Sequence, residues 1–303
     1  MRRVNVERVA SLLAGMACVR RAARAAMTAV NGKGPFEPDR LDRRDPELIR
    51  TFIPALGFLN ARYFRLTVEG VENIACERAL YVANHNGGIA GPDLAGTLGT
   101  LWDTLGPAFP LYAMAHDFAM RRFTPLGRLL QRLGALRAAP ANAERVLSQG
   151  GQVLVYPGGE LDAYRHFSRR NEVVFGARTG FIRVAQRTRV PIVPVVAHGA
   201  HSSALIFHEG EAIARRMGLK RWGRHERFPL ALALPWGFVA GPWLPYLPLP
   251  RALRIRFLPQ MTVLPSADPI RMREAIRSRM QSALDELEWR SRCQTMAIES
   301  ASA

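Results

Sequence analysis

Cysteine is scarce and poorly placed for cross-linking. The 303 residues hold three, Cys18, Cys76 and Cys293, far apart and odd in number. They form no Cys-x-x-Cys pair, so neither a disulfide framework nor a zinc knuckle is indicated, and a reducing compartment fits. Long clean apolar runs are also missing. A membrane-spanning helix needs about 18 or more consecutive apolar residues. The nearest candidate, 228–250, carries six prolines and cannot be one such helix. No Gly-x-Ser-x-Gly nucleophile elbow occurs; Gly199-Ala200-His201-Ser202-Ser203 does not fit, which argues against a lipase or esterase. Internal repeats and low-complexity tracts are absent. Acidic residues are the minority, 25 against 42 Lys+Arg, for a net charge of +17. That excess favours a polyanionic partner: nucleic acid, an anionic membrane or a phosphate-rich co-substrate. The basic residues are scattered and match no nucleic-acid recognition motif, so no nucleic-acid partner is expected.

Hydrophobic residues make up 48% of the chain, enough for a sizeable core. Residues 1–30 read as a basic amphipathic helix. Val9, Leu12, Leu13, Met16, Val19, Ala23 and Met27 trace one face, with Arg8, Arg20, Arg21 and Arg24 interspersed. Such a helix lies in a membrane interface or packs on its own domain. A secretory signal is discounted, because Arg20-Arg21 close the apolar run without a clean small-x-small cleavage site. A linker over 31–45 and a second apolar helix over 46–64 follow. Strands alternate with helices from there on: strands at 65–69, 79–83, 110–115, 134–137, 152–156, 190–197 and 253–258, and helices at 93–105, 116–133, 142–149 and 180–188. The prolines of 190–197 and the alternating arginines of 253–258 suggest sheet edges or strand ends. A last helix begins at Pro269, capped by Asp268. Met272, Ile276, Met280, Leu284 and Leu287 form its core stripe, and the final dozen residues read as a frayed tail. This pattern defines an α/β fold with a central mixed β-sheet flanked by helices, preceded by N-terminal amphipathic and apolar helices. The expected divisions are 1–45, 46–290 and a tail at 291–303.

Ligands in such folds sit beyond the carboxyl ends of strands. Two loops qualify. One is Asn84-His85-Asn86-Gly87-Gly88, which leads to Gly91-Pro92-Asp93; the other is Pro157-Gly158-Gly159. Imidazole titrates near neutrality, so a histidine held by a carboxylate is a ready general base. His198, His201 and His208 lack the acidic or cysteine partner that would complete a tetrahedral metal set, and no metal is expected.

The order of these features resembles the glycerolipid acyltransferase superfamily, whose members carry a His-x4-Asp motif. Asn84-His85 through Asp93 looks like its first block, and Pro125-Leu126-Gly127 through Arg137 like its second. Val155-Tyr156-Pro157-Gly158-Gly159 through Arg165 looks like the third, and 190–195 like the fourth. Two departures stand out. Seven residues separate His85 from Asp93. Tyr156-Pro157-Gly158-Gly159-Glu160-Leu161-Asp162-Ala163 is similar to the Pro-Gly-Gly-x-x-Glu-Ala pattern of the diacylglycerol acyltransferase branch, with Asp162 in the glutamate's place.

The resemblance implies a single acyltransferase domain that transfers a fatty acyl group from acyl-CoA or acyl carrier protein to a glycerolipid or lysophospholipid hydroxyl. His85 would be general base and Asp93 its orienting acid. Asn84, Arg137, Gly158, Gly159, Glu160, Asp162 and Arg165 would bind substrate or acyl donor. The two arginines would take phosphate, and the two glycines would offer N–H groups to the oxyanion. It implies no cofactor beyond the thioester co-substrate. It also implies membrane lipid and an anionic surface as partners, at the cytoplasmic face of the inner or plasma membrane. The alternatives are a catalytically inactive lipid-binding relative or, in a different class, a basic nucleic-acid-binding protein.

Overall fold

The computed structural model describes residues 6–31, 36–88, 91–121, 123–223, 225–241 and 246–302. Parts of the expected linker, of the loop after His85 and of the proline-rich stretch therefore lie outside the described residues. In chain order the elements are α1 (Val6–Val30), α2 (Pro46–Arg62), β1 (Thr67–Glu69), β2 (Leu80–Ala83), α3 (Pro92–Leu105), β3 (Leu111–Ala115) and α4 (Asp117–Arg121). Next come α5 (Thr124–Arg132), β4 (Ala135–Arg137), α6 (Pro140–Ser148), β5 (Gln152–Val155), α7 (Glu160–Ala163), α8 (Gly180–Thr188) and β6 (Ile192–His198). The chain ends with β7 (Leu205–His208), α9 (Glu211–Arg216), α10 (Leu219–Gly223), β8 (Leu230–Ala233), β9 (Gly237–Ala240), β10 (Arg254–Phe257) and α11 (Pro269–Ser302).

A seven-stranded sheet in the order β1-β10-β6-β2-β5-β3-β4 forms the centre. Its pairings are parallel except β10 against β6. The sheet is mixed, as expected, and β2 sits in its middle. Every residue of β2 is buried because helices cover both faces. Leu80 and Val82 join one core with Val153, Ile192, Ile182 and the α11 stripe Ile276, Met280, Leu284 and Leu287. Tyr81 and Ala83 point the other way, into a core with Leu154, Val193, Leu101, Trp102 and Ile49. This period-2 split fixes the register of β2, and with it the direction in which the following loop leaves the sheet.

Four expectations need correction. The strand at 190–197 is not at an edge, because β6 lies between β10 and β2. Pro194 stands just past the end of β10, where its carbonyl accepts Leu258 N–H at 2.9 Å, and pairing resumes with Ile192 against Met261. The strand at 253–258 is interior as well, since β1 covers it; its Arg256 ion-pairs with Glu69 and Glu286. The helix expected over 116–133 is two, α4 and α5, with Phe123 at φ −125°, ψ 87° between them and Pro125 in the first turn of α5. The expected tail at 291–303 continues α11 to Ser302, with i,i+4 ion pairs Arg290–Glu286 and Arg292–Glu288 along it.

Helix α1 packs on α2, but not by the apolar stripe. Its buried face is small: Gly15, Ala22 and Ala29, seven residues apart. A Cβ on Gly15 would fall 1.9 Å from the Phe58 ring, so only glycine lets the helices approach this closely. Leu12, Leu13, Met16 and Met27 are left exposed. A second, three-stranded antiparallel sheet, β7-β8-β9, stands apart from the main one. Ile206 and Ala231 on one of its faces pack on Ala163 and Tyr164. Its other face presents Leu205, Phe207, Leu232 and Phe238 to the outside.

Candidate active site

The loop after β2 folds back through glycines in the left-handed region: Gly87 (φ 72°), Gly88 (φ 58°) and Gly91 (φ 46°). Gly91 is the N-cap of α3 and Pro92 its first residue, which sets Asp93 in the first turn. The long spacing therefore does not separate the pair. His85 Nδ1 lies 3.0 Å from Asp93 Oδ2, and the same oxygen accepts the N–H of Asn86 at 2.8 Å. The Asp93 side chain is wholly buried, and the N-terminus of a 14-residue helix favours its negative charge.

With Nδ1–H donating to Asp93, the lone pair of His85 is at Nε2. The ring is 22% exposed, and Nε2 has no partner among the described residues. Burial disfavours the imidazolium, but the charge and hydrogen bond of Asp93, with Asp162 behind, outweigh it and hold the pKa of His85 above 6.5. The Tyr156 ring packs against the imidazole at 4.7 Å.

Beneath the pair lies a buried ionic scaffold. Asp162 accepts the backbone N–H of His85 and, at 3.1 Å, that of Val174. Burial raises its pKa to about 6 against the opposing pull of Arg165 and these donors. Arg165 has no exposed side-chain surface. Its guanidinium donates to the carbonyls of His85 (2.9 Å), Arg169 (2.8 Å) and Arg170 (2.7 Å), to Asp162 Oδ1 (3.0 Å), and to Asn86 Oδ1 and the Asp162 carbonyl. Every N–H is engaged, so Arg165 positions the backbone on both sides of His85 and is not open to phosphate. Asn84 is likewise buried. It exchanges two hydrogen bonds with the backbone of Ala197, at 3.1 and 2.8 Å, and so extends the β2–β6 ladder by one rung rather than facing a substrate.

The remaining expected ligands also have structural partners. Arg137 forks onto Asp39, with Asp117 at 3.9 Å, and ties the segment after α1 to β4. The N–H of Gly159 closes a turn on the Tyr156 carbonyl at 3.0 Å, so it does not point at a developing oxyanion. Gly158 is required because a Cβ would lie 2.1 Å from the Val174 carbonyl oxygen. Glu160 Oε2 accepts the N–H groups of Glu226 (2.8 Å) and Arg227 (3.3 Å), and Oε1 meets His225 Nδ1.

Several residues at the site carried no signal in the sequence. Arg178 donates to the carbonyls of Pro157 and Gly158 and braces the turn after β5. Tyr246 donates its hydroxyl to the Gly87 carbonyl at 2.6 Å. His201 lies 2.9 Å from the Arg165 carbonyl through Nε2 and accepts Gly87 N–H at Nδ1, which explains its burial without a metal; burial also holds its pKa well below 6.5. His116, Glu160 and His225 come together within 4.8 Å, a donor set of the kind transition metals take. Here His116 Nδ1 accepts Phe118 N–H at 3.2 Å, which puts the imidazole proton on Nε2, the nitrogen facing Glu160. The cluster as built is two imidazoles around one carboxylate.

The His–Asp pair thus stands where the central strand of a mixed α/β sheet meets its helix. The acyltransferase family model matches residues 65–198, which contain both residues. The fold is similar to the crystal structure of the 1-acyl-sn-glycerophosphate (LPA) acyltransferase, PlsC, from Thermotoga maritima. The TM-score is 0.53 at 15% identity, over 92% of this chain and 98% of that one. Uncharacterized proteins of Mycobacterium tuberculosis and Mycobacterium bovis are 31% identical over 205 residues, 67% of this chain and 54% of theirs. One from Mycobacterium leprae is 28% identical over 215 residues, 70% of this chain and 55% of its own. The chain thus spans about half the length of these mycobacterial relatives. Residues 65–198 thus match the acyltransferase family, within a fold like that of the PlsC structure.

Proposed function

We propose that the protein is an O-acyltransferase that moves a fatty acyl group from an acyl thioester to a hydroxyl of a glycerolipid or lysophospholipid. The observation that carries this reading is the 3.0 Å His85–Asp93 contact with Nε2 left unpartnered at the surface. In the reaction, Nε2 takes the proton of the acceptor hydroxyl as its oxygen attacks the thioester carbonyl carbon. Asp93 stabilises the imidazolium that forms. The tetrahedral intermediate collapses with loss of the thiolate, which recovers the proton from Nε2–H. An ester forms, a thioester bond breaks, and the enzyme ends as it began, with no covalent intermediate. The test is thiol release from long-chain acyl-CoA with candidate lipid acceptors. Acceptor-dependent release supports the reading; none with any thioester and any acceptor refutes it.

A membrane acceptor accords with the exposed apolar surface. Among the described residues, no helix is long and apolar enough to cross a membrane. Yet Leu234, Trp236 and Phe238, about half exposed, crown the β8–β9 hairpin, and Leu247 bridges to Leu234. Pro248 then meets Tyr63 at the end of α2, whose Arg62 meets Ser11 of α1 beside the exposed Leu12 and Leu13. These contacts connect the two apolar groups, and Tyr246 connects them to the catalytic loop. Large exposed apolar patches mark partner or membrane surfaces. The double variant Trp236→Ser/Phe238→Ser is expected to bind anionic vesicles about tenfold or more weakly in a flotation assay, since two large side chains are lost from the contact. Unchanged flotation would remove this face from the membrane contact.

A further inference from the structure

Both arginines expected to hold phosphate are committed to the protein itself, Arg165 to backbone carbonyls and Asp162, Arg137 to Asp39. A strongly cationic concavity exists elsewhere. Helices α9 and α10, inserted between β7 and β8, wall a cavity of about 880 Å³. Leu161 of α7 lines it together with Arg215, Arg216, Lys220, Arg221 and Arg227. Glu211 and Glu226 are the carboxylates on this lining. They pair with Arg227 (2.7 Å to Glu211), Arg215 (3.9 Å to Glu211) and Lys220 (3.8 Å to Glu226). Arg216 and Arg221 have no ion-pair partner among the described residues, and both are exposed. Five cations against two carboxylates on one concave surface exceed what a surface needs for solubility.

We propose that this cavity holds the phosphate-bearing nucleotide end of a coenzyme A thioester, the donor in the acyl transfer on which this proposal rests. The volume lies in the range of small-molecule sites, about 300–1,000 Å³. It suits a nucleotide better than the helix of a carrier protein. Guanidinium groups match phosphate as two-pronged donors, and several together suit a ligand carrying more than one phosphate. The position also fits. Leu161 faces the cavity, and the next residue, Asp162, holds the backbone N–H of His85. The cavity wall is therefore one residue along α7 from the group that anchors the base. Glu160, which grips the backbone of Glu226 and Arg227, locks the cavity wall to the same turn of α7.

The test uses the full chain and adenosine 3′,5′-bisphosphate, which carries the nucleotide phosphates without the thioester. Calorimetric titration should show binding that weakens with salt. Arg216→Glu/Arg221→Glu should weaken it by roughly tenfold per guanidinium lost. Arg271→Glu, on the exposed side of α11, should leave it unchanged. In transfer assays the double variant should raise KM for acyl-CoA with kcat preserved, and leave the kinetics with acyl-pantetheine, which lacks the nucleotide, as in the wild type. Equal bisphosphate binding by wild type and double variant would overturn the proposal. So would no binding at all, displacement by sn-glycerol 3-phosphate alone, or activity confined to acyl carrier protein thioesters. A wild type that transfers from no thioester refutes the acyltransferase reading, while the bisphosphate titration still decides whether this cavity is a nucleotide site.

Discussion

Replacing His85 with alanine is expected to lower kcat for acyl transfer by about 10²–10⁴-fold, the range a positioned general base supplies. The effect should fall on kcat and kcat/KM together, because the lost interaction is made at the reacting hydroxyl and not to the bound substrates. His85 is partly exposed, and among the described residues its ring makes one hydrogen bond, to Asp93. Its backbone N–H and carbonyl, which anchor the loop to Asp162 and Arg165, survive the substitution. The variant should therefore fold with near wild-type stability. A folded His85→Ala protein with wild-type turnover would exclude His85 as the base.

The second large effect falls on stability. Arg165→Met leaves Asp162 buried without its cation, and releases four backbone carbonyls and Asn86 from their donor. Breaking a buried ion pair by removing one partner costs about 3–5 kcal/mol, a large part of the ~5–15 kcal/mol that holds a domain together. The urea midpoint of Arg165→Met should drop accordingly. Arg165→Met/Asp162→Asn should recover part of the loss, because no buried carboxyl is then left to be desolvated or protonated without its partner. A single variant as stable as the wild type would mean that the scaffold is not held by this pair.

The sequence made the frame of the site legible and hid its supports, for physical reasons. The apolar run before Asn84 and the Pro92 start of α3 are local signals, so the strand–loop–helix unit around His85 and Asp93 could be read directly. Arg165 and Arg137 were misread because an arginine declares its charge but not its partners. Those of Arg165 are mostly backbone carbonyls, which no sequence displays, and that of Arg137 is Asp39, 98 residues away. The proline rule misplaced β6 because the rule concerns one missing N–H, and Pro194 stands just past the last β10–β6 pair, where its carbonyl accepts Leu258 N–H. Helix α1 showed the opposite error. Its leucine and methionine stripe looked like the packing face, yet its buried positions are Gly15, which meets Phe58 of α2, Ala22 and Ala29, and Leu12, Leu13, Met16 and Met27 are exposed.

The central claim is that Asp93 holds His85 as a base through Nδ1, and the pH dependence of kcat/KM tests it most directly. A base must be unprotonated to act, so activity should rise with pH through the pKa of His85, which Asp93 holds above 6.5. In Asp93→Asn the anion that stabilises the imidazolium is gone. The plateau should fall by about 10³–10⁴-fold, and the acid limb of what remains should move to lower pH. A variant whose acid limb stays at the wild-type position, or whose plateau is undiminished, would contradict the account.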